Sequence, residues 1–517
     1  MGIRTPVIRI LGLCLAFVPG PAAGQAPQVP AGAPPAAAFR EEVLADLPRD
    51  SEAKQVVAGV HHVVWTEKLN GTYTVKLDGK PQGGSYEEVK YLSISRDESH
   101  LAFFGKREGK NWALVLDGKE GSQEYSSGTS VGFQTGGSSY AYGACIEKSC
   151  HLYVDGRESG AEYQEISYPR YSPDGKQLAY LGKSGKLWTA VVDGKETGPK
   201  FRGFAGFGFS PGGARFYIAA ASGFQWYYVV DGASGQDFQV LSRIAFTEDG
   251  LHYAYGGVRS DSGFKRKKVF ATVILDGQDA GTYEGKGMRG NWSLLGGSVE
   301  FLAPGIHSLN PDFHGISDPD LTSDGKLVYA IRRDKGDIAV LVGGEAGPGF
   351  EDILSPVAFT DDLKHFAFVA KQGNDFVEVR DNVVVRTFAA GGRGPTLAPR
   401  IYLSKDGAHL AFETAEGGDN FKAGKTLRAI RSLVVDGRES PRYNALGITG
   451  FNMSKDGSRY YCVVKGAKGD QDLASVNGQE SKLYDLVTGA RFIEGEKSVV
   501  FIARDGLRML RVTYDFP

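Results

Sequence analysis

Residues Tyr171 to Phe201 read YSPDGKQLAYLGKSGKLWTAVVDGKETGPKF. Two turn signals punctuate this stretch. In Ser172-Pro173-Asp174-Gly175 the proline pre-sets φ, the aspartate hydrogen-bonds nearby backbone and the glycine accepts positive φ. In Val192-Asp193-Gly194 an Asp-Gly pair follows an apolar run, which signals a tight hairpin. Between the turns lie two apolar strands, QLAYLGK (177–183) and WTAVVDG (188–194). A short inner strand precedes the first turn, and a short outer strand ending in an aromatic follows the second. Four strands in about 40 residues is the size of one propeller blade.

Working outward, the same unit recurs along the chain. The first turn returns at 95–98, 210–213, 247–250, 322–325, 360–363, 404–407 and 454–457. The second returns at Asp78, Asp117, Asp155, Asp231, Asp276 and Asp436, with variants at Gly343-Gly344 and Asn477-Gly478. The first five of these aspartates, Asp193 included, are spaced 39, 38, 38 and 38 residues apart. An aromatic follows eight residues on at Tyr86, Tyr125, Tyr163 and Phe201, and seven on at Phe238, Tyr283, Tyr443 and Tyr484. The second strand has twelve copies, starting near His61, His100, Ser139, Gln177, Arg215, His252, Ser298, Leu327, His365, His409, Arg459 and Ser498. Twelve blades exceed the usual four to eight of one ring. The expectation is therefore an all-β chain of two tandem β-propellers, about six blades each, over 53–288 and 289–517. The boundary is placed near Met288, where the repeat is most irregular, with five plus seven blades and a single large ring as open alternatives.

Composition agrees with many strands and many turns. Glycine supplies 71 of 517 residues without a G-X-Y period, while 24 Tyr, 29 Phe and 5 Trp place the chain above disorder-type composition. Lys and Arg number 59 against 61 Asp and Glu, so bulk charge points to neither nucleic acid nor an anionic membrane.

The first 24 residues read as a secretory signal. Arg4 and Arg9 precede the apolar run Ile10–Val18, and Ala22-Ala23-Gly24 offers a cleavage site. Nine apolar residues are too few to span a bilayer. Residues 25–52 read as a Pro/Ala-rich linker and lead-in. The expected compartment is periplasmic or extracellular, with no transmembrane segment after signal removal.

SPDGKQLAY (172–180), SKDGAHLAF (404–412) and TSDGKLVYA (322–330) resemble the WD40-like propeller repeat of the TolB type. The resemblance covers roughly Ala53 to Pro517 and implies the repeat and the fold. It implies no activity, because that repeat occurs in periplasmic scaffolds and in oligopeptidase propellers alike. The α/β domain that accompanies the propeller in either family has no residues here to build it.

Motifs that invite chemistry fall mostly into the repeat. Gly128-Thr129-Ser130-Val131-Gly132 matches a nucleophile elbow but joins two blades, with no helix expected after it. Gly285-Lys286-Gly287-Met288-Arg289-Gly290 matches a dinucleotide loop but leads into strand-like sequence. Asp318, Asp320 and Asp324 suggest a cation site, although Asp324 belongs to the recurrent turn. His100, His252, His365 and His409 share one repeat position, which predicts a structural cap on the blade turn. His61, His62 and His151 also start strands, and only His307 and His314 fall outside the pattern. Trp112, Trp188 and Trp226 lie five residues before the Asp-Gly aspartate, a phase shared by Tyr73 and Cys150, which predicts inter-blade packing. No catalytic residue, metal ligand or cofactor is assigned.

Cys145 and Cys150 flank a four-residue turn between two strands, and export permits oxidation, so a disulfide is expected between them. Cys462 lies in an apolar strand and is expected buried and free. Two units carry insertions between the second and third strands. One, at 256–270, holds Lys265, Arg266, Lys267 and Lys268; the other, at 413–432, holds Lys422, Lys425, Arg428 and Arg431. Such hairpins open on the face of the blade-to-blade connections, where binding loops commonly lie. The function expected is an exported, non-enzymatic scaffold that binds a protein or an anionic surface polymer. The alternative is a hydrolase or lyase working in a central channel, which needs convergent carboxylates or histidines that break the repeat.

Overall fold

The computed structural model describes residues 39–59, 61–260, 269–285, 316–360, 362–389, 396–416, 429–445, 447–466, 471–493 and 495–517. The strands of these residues form eleven antiparallel sheets. The blades are numbered in chain order, from blade 1 at Glu52–Tyr86 to blade 11 at Leu486–Asp515. Blade 4 is typical: an inner strand in two pieces (Glu165–Ile166 and Arg170–Tyr171), then Leu178–Ser184, Leu187–Val192 and the outer Lys195–Phe201. Tyr163, Phe201 and their equivalents end the outer strands, and the chain then crosses to the next blade.

Hydrophobic clusters join each blade to the next. Phe201, Ala190 and Leu181 of blade 4 pack on Phe207, Ile218 and Val229 of blade 5. Glycine makes room for the recurrent aromatic. A Cβ on Gly182 would stand 2.6 Å from Cγ of Tyr163, and one on Gly105 would stand 2.5 Å from the Tyr86 ring. The glycine of FFGK and YLGK is therefore the seat of the preceding blade's aromatic.

The eleven blades close into one ring. Blade 11 packs its Ile502 and Met509 on Val63 and Trp65 of blade 1. The closing strand comes from the other end of the chain, because Arg40–Asp46 pairs with Arg508–Asp515 as the outer strand of blade 11. Glu41 binds Lys482 at 2.9 Å and accepts from the Tyr484 hydroxyl at 2.7 Å, and Arg511 meets Glu42 at 3.1 Å. Two expectations change. The lead-in assigned to a linker over 25–52 contains a blade strand. Of the partitions left open, the single ring is the one that forms, since the N-terminal strand completes the C-terminal blade and that blade packs on blade 1.

Among the described residues eleven of the twelve expected copies form sheets. The copy expected at Ser298 and the boundary at Met288 lie outside the described residues. Blade 6 nevertheless packs directly on blade 7 through Val258, Ala271, Leu321 and Tyr329, with the Tyr283 and Tyr329 hydroxyls 2.7 Å apart.

Strand alternation gives the ring two unlike faces. The first turns, and the third turns of blades 1 to 10, lie on one, the turn face. Among the described residues the second turns and the blade-to-blade connections lie on the other, the loop face. On the turn face the recurrent residues cross-link the two turns. Ser172 Oγ donates to Asp174 Oδ1 at 2.6 Å and accepts from the Gln177 N–H at 3.0 Å. Asp193, at φ 49°, accepts from the Leu178 N–H at 2.9 Å. The second oxygen of the equivalent aspartates meets Nδ1 of His62, His100, His252, His365 and His409 at 2.6, 2.9, 2.7, 2.8 and 2.6 Å. The histidines cap the turn as the repeat phase predicts. Asp381 plays this part in blade 8, where an Asp-Asn pair replaces Asp-Gly.

Candidate binding face

The loop face carries what departs from the repeat. Second and third strands of blade 3 place Cys145 opposite Cys150, their Cα atoms 3.9 Å apart, and the sulfurs are bonded. Beside this bond, between blades 3 and 4, lies a cleft of about 280 Å³ lined by Ser127, Thr129, Glu147, Gln164, Glu165 and Trp188. Lys183 meets Glu165 at 2.5 Å and lies 5.5 Å above the Trp188 ring; Lys90 lies 4.5 Å above Trp112. Trp188 also packs edge-on against Phe204, with centroids 5.0 Å apart, and pairs across the sheet with Phe201. The tryptophans thus serve packing, as their shared phase predicts, while keeping one edge at the surface.

Tips of the second-to-third-strand turns carry exposed apolar side chains in three successive blades. Ile146 is 46 % exposed, Leu187 38 % and Phe224 94 %. The basic insertions arise at this same turn. The flanking strands Tyr253–Ser260 and Val269–Leu275, and Leu410–Glu416 and Ala429–Val435, end on the loop face. Lys265, Arg266, Lys267, Lys268, Lys422, Lys425 and Arg428 themselves lie outside the described residues.

Arg431 does not lie in the loop. It sits in the third strand of blade 9, where Nη1 meets Glu413 Oε1 at 2.6 Å, and Glu413 is only 3 % exposed. The same carboxylate accepts from the Ile448 N–H of blade 10 at 3.4 Å. Blade 10 repeats the device: Asp472 binds Lys465 at 2.7 Å and the Val487 N–H of blade 11 at 3.0 Å. Arg431 and Asp472 each stand five residues before the Asp-Gly or Asn-Gly turn, the phase filled by Trp188 in blade 4. Reading that phase to the end of the chain reveals both as breaks in the repeat. Each belongs to an ion pair within its own blade, whose carboxylate also accepts from a backbone N–H of the next.

The other candidate sites resolve into architecture. Ser130 lies in the break between Ser127–Gly128 and Gly132–Phe133, both paired to one strand, so no strand–helix elbow surrounds it. Asp324 accepts from Thr322 and binds Lys326 at 2.6 Å, contacts that hold its carboxyl below the usual range. Asp320 pairs with Arg243 at 3.0 Å, and burial raises its pKa. His307, His314 and residues 286–290 lie outside the described residues. Among the described residues no group of three or more His, Cys, Asp or Glu is placed to hold a metal ion, and no helix is long and apolar enough to cross a membrane. Cys462 is buried and free, its thiol pushed up to about 12 by burial, with Glu413 adding to the shift.

These sheets define the chain as a β-propeller repeat protein, with eleven blades among the described residues. No family model matches the chain, and no curated protein matches it. Among solved structures it is similar to one titled "Crystal structure of the eukaryotic initiation factor", at 11 % identity and TM-score 0.38, over 76 % of this chain and 95 % of that one. It is similar to "Structure of Dos1 propeller" at 11 % identity and TM-score 0.31, over 67 % and 91 %. It is similar to "Dihydro-heme d1 dehydrogenase NirN in complex with DHE" at 16 % identity and TM-score 0.31, over 65 % and 70 %. The propeller assignment rests on this chain's own sheets.

Proposed function

We propose that this protein is an exported, non-enzymatic scaffold that binds an anionic partner, a surface polymer or an acidic protein, on its loop face. The observation that carries this reading is the asymmetry of the faces. The turn face spends its recurrent Asp, Ser and His on its own hydrogen bonds. The loop face holds the cleft, the exposed tips and the roots of both basic insertions. The strand that closes the ring enters on the turn face, since Arg40 pairs with Thr513 at the end remote from the Asp505–Arg508 turn. A tether preceding Arg40 would therefore leave the loop face clear. The signal-like residues 1–24 and the Cys145–Cys150 bond support export.

The test is retention of the chain from Gln25 onward on immobilised polygalacturonate and polyglutamate at physiological salt. Retention is expected for the wild type and its loss for the variant K265E/R266E/K267E/K268E. Equal retention of the two proteins would overturn the role assigned to that insertion. Envelope fractionation with N-terminal sequencing checks export, and a mature protein beginning elsewhere than Gln25 would move the cleavage site.

A further inference from the structure

We propose that the loop face of blades 3 to 5 docks on an anionic lipid bilayer, with Phe224 entering the headgroup region. This rests on the loop-face reading above and names its partner. Phe224 forms the tip of the turn between Phe216–Ser222 and Gln225–Val230, lifted by Gly223 at φ 70°. It is 94 % exposed, whereas the phenylalanines Phe201 and Phe238 of the repeat are buried. A single exposed ring is ordinary on a soluble protein, and it becomes informative here because apolar tips recur at the equivalent turns of two neighbouring blades.

The neighbouring tips add to it. Ile146 in blade 3 and Leu187 in blade 4 occupy the equivalent turns, each beside a lysine, Lys148 and Lys186. The turns of blades 3 and 4 thus each set one apolar and one cationic side chain at the tip, with Glu147 between them in blade 3. An anionic lipid interface offers both complements, headgroup phosphates for the lysines and a boundary region that accepts an aromatic ring. Three apolar tips on three separate turns also favour a deformable surface, which receives them together, over a rigid partner that needs a matching pocket for each. The sequence repeats the theme in the next blade, where Ser262-Gly263-Phe264 echoes Ser222-Gly223-Phe224 and leads directly into Lys265–Lys268.

The experiment uses the chain from Gln25 to Pro517 with sedimenting vesicles, either pure phosphatidylcholine or with about 30 % phosphatidylglycerol, in low salt. The wild type is expected to bind the anionic vesicles, to bind them less at high salt, and to leave the neutral ones. F224A is expected to lower partitioning roughly tenfold, the scale of losing one inserted aromatic. Because Phe224 touches solvent almost throughout, the substitution leaves the fold intact. A second readout is F224C labelled with an environment-sensitive dye. The label goes to that position, since Cys145 and Cys150 are bonded and Cys462 is buried. Its emission is expected to rise and shift to the blue on anionic vesicles. Equal partitioning of F224A and wild type, equal binding to neutral vesicles, or an unchanged dye on bound protein each overturns the proposal. Retention on polyglutamate without vesicle binding overturns the lipid partner and leaves the anionic-partner reading standing; failure of both overturns both.

Discussion

Replacing Gly182 by alanine tests the packing rule that makes this ring. The added Cβ would lie 2.6 Å from Cγ of Tyr163, with two more ring carbons nearer still. Non-bonded carbons rest at about 3.5–4.0 Å, so the ring must withdraw by roughly 1 Å or more. Tyr163 has no open side to withdraw into. It is buried among Ala141, Leu152, Tyr180 and Val191, with the Tyr180 ring 6.1 Å away. Overpacking of this kind costs about 1–3 kcal/mol. Gly206 supplies the control, because nothing lies within 4 Å of a Cβ built there and its φ is not positive. G206A should be neutral, or stabilising by about 0.4–1 kcal/mol through the unfolded chain. Urea unfolding followed by tryptophan fluorescence separates the two variants, with Trp188 in the neighbouring strand as the reporter. The midpoint of G182A is expected below wild type, and that of G206A at or above it. A G182A midpoint equal to that of G206A would refute the aromatic-seat explanation of the FFGK and YLGK glycines.

Three further outcomes follow from the same geometry. C145S/C150S should lose about 2 kcal/mol, the entropy of closing so short a loop; equal denaturation midpoints with and without reductant would show that the bond adds nothing. E413A should cost about 3–5 kcal/mol by stranding Arg431, whereas E413L/R431M should restore most of that; a double variant as unstable as the single one would mean that the ion pair itself is needed. Asp97, Asp174, Asp362 and Asp456 are each held at about 2, chiefly by the hydroxyls of Ser95, Ser172, Thr360 and Ser454. Their folded-state values are depressed, so the stability they add is present above about pH 4 and lost as pH falls toward 2. Thermal unfolding by circular dichroism should fall more steeply across that window in wild type than in D97N/D174N/D362N/D456N, and parallel curves would count against the linkage.

Much of the architecture is legible in the sequence because turn chemistry is local. Ser-Pro-Asp-Gly and Val-Asp-Gly specify their own hydrogen bonds within a few residues, so they mark strand ends wherever they recur. The Cys145–Cys150 bond is legible for the same reason, since one short turn sets the two residues opposite each other. The histidine caps follow from repeat phase, as does the packing of Trp188. The ion pairs Glu413–Arg431 and Lys465–Asp472 are legible only when that phase is followed into the blades whose turns have drifted. Arg431 reads as a loop cation by sequence because the strand Ala429–Val435 starts inside the apparent insertion.

What the sequence by itself determined is the repeating unit: four strands, two turn types and the aromatic that ends each blade. Each of these depends on contacts between residues close along the chain. Only the tertiary structure decided how many units close and where. Ring size depends on the angle between neighbouring blades, which inter-blade packing sets and which leaves no periodic mark. Closure depends on Arg40–Asp46 meeting Arg508–Asp515, a pairing across nearly the whole chain. The same closure separates a turn face, whose polar groups bind one another, from a loop face whose tips remain free to bind something else.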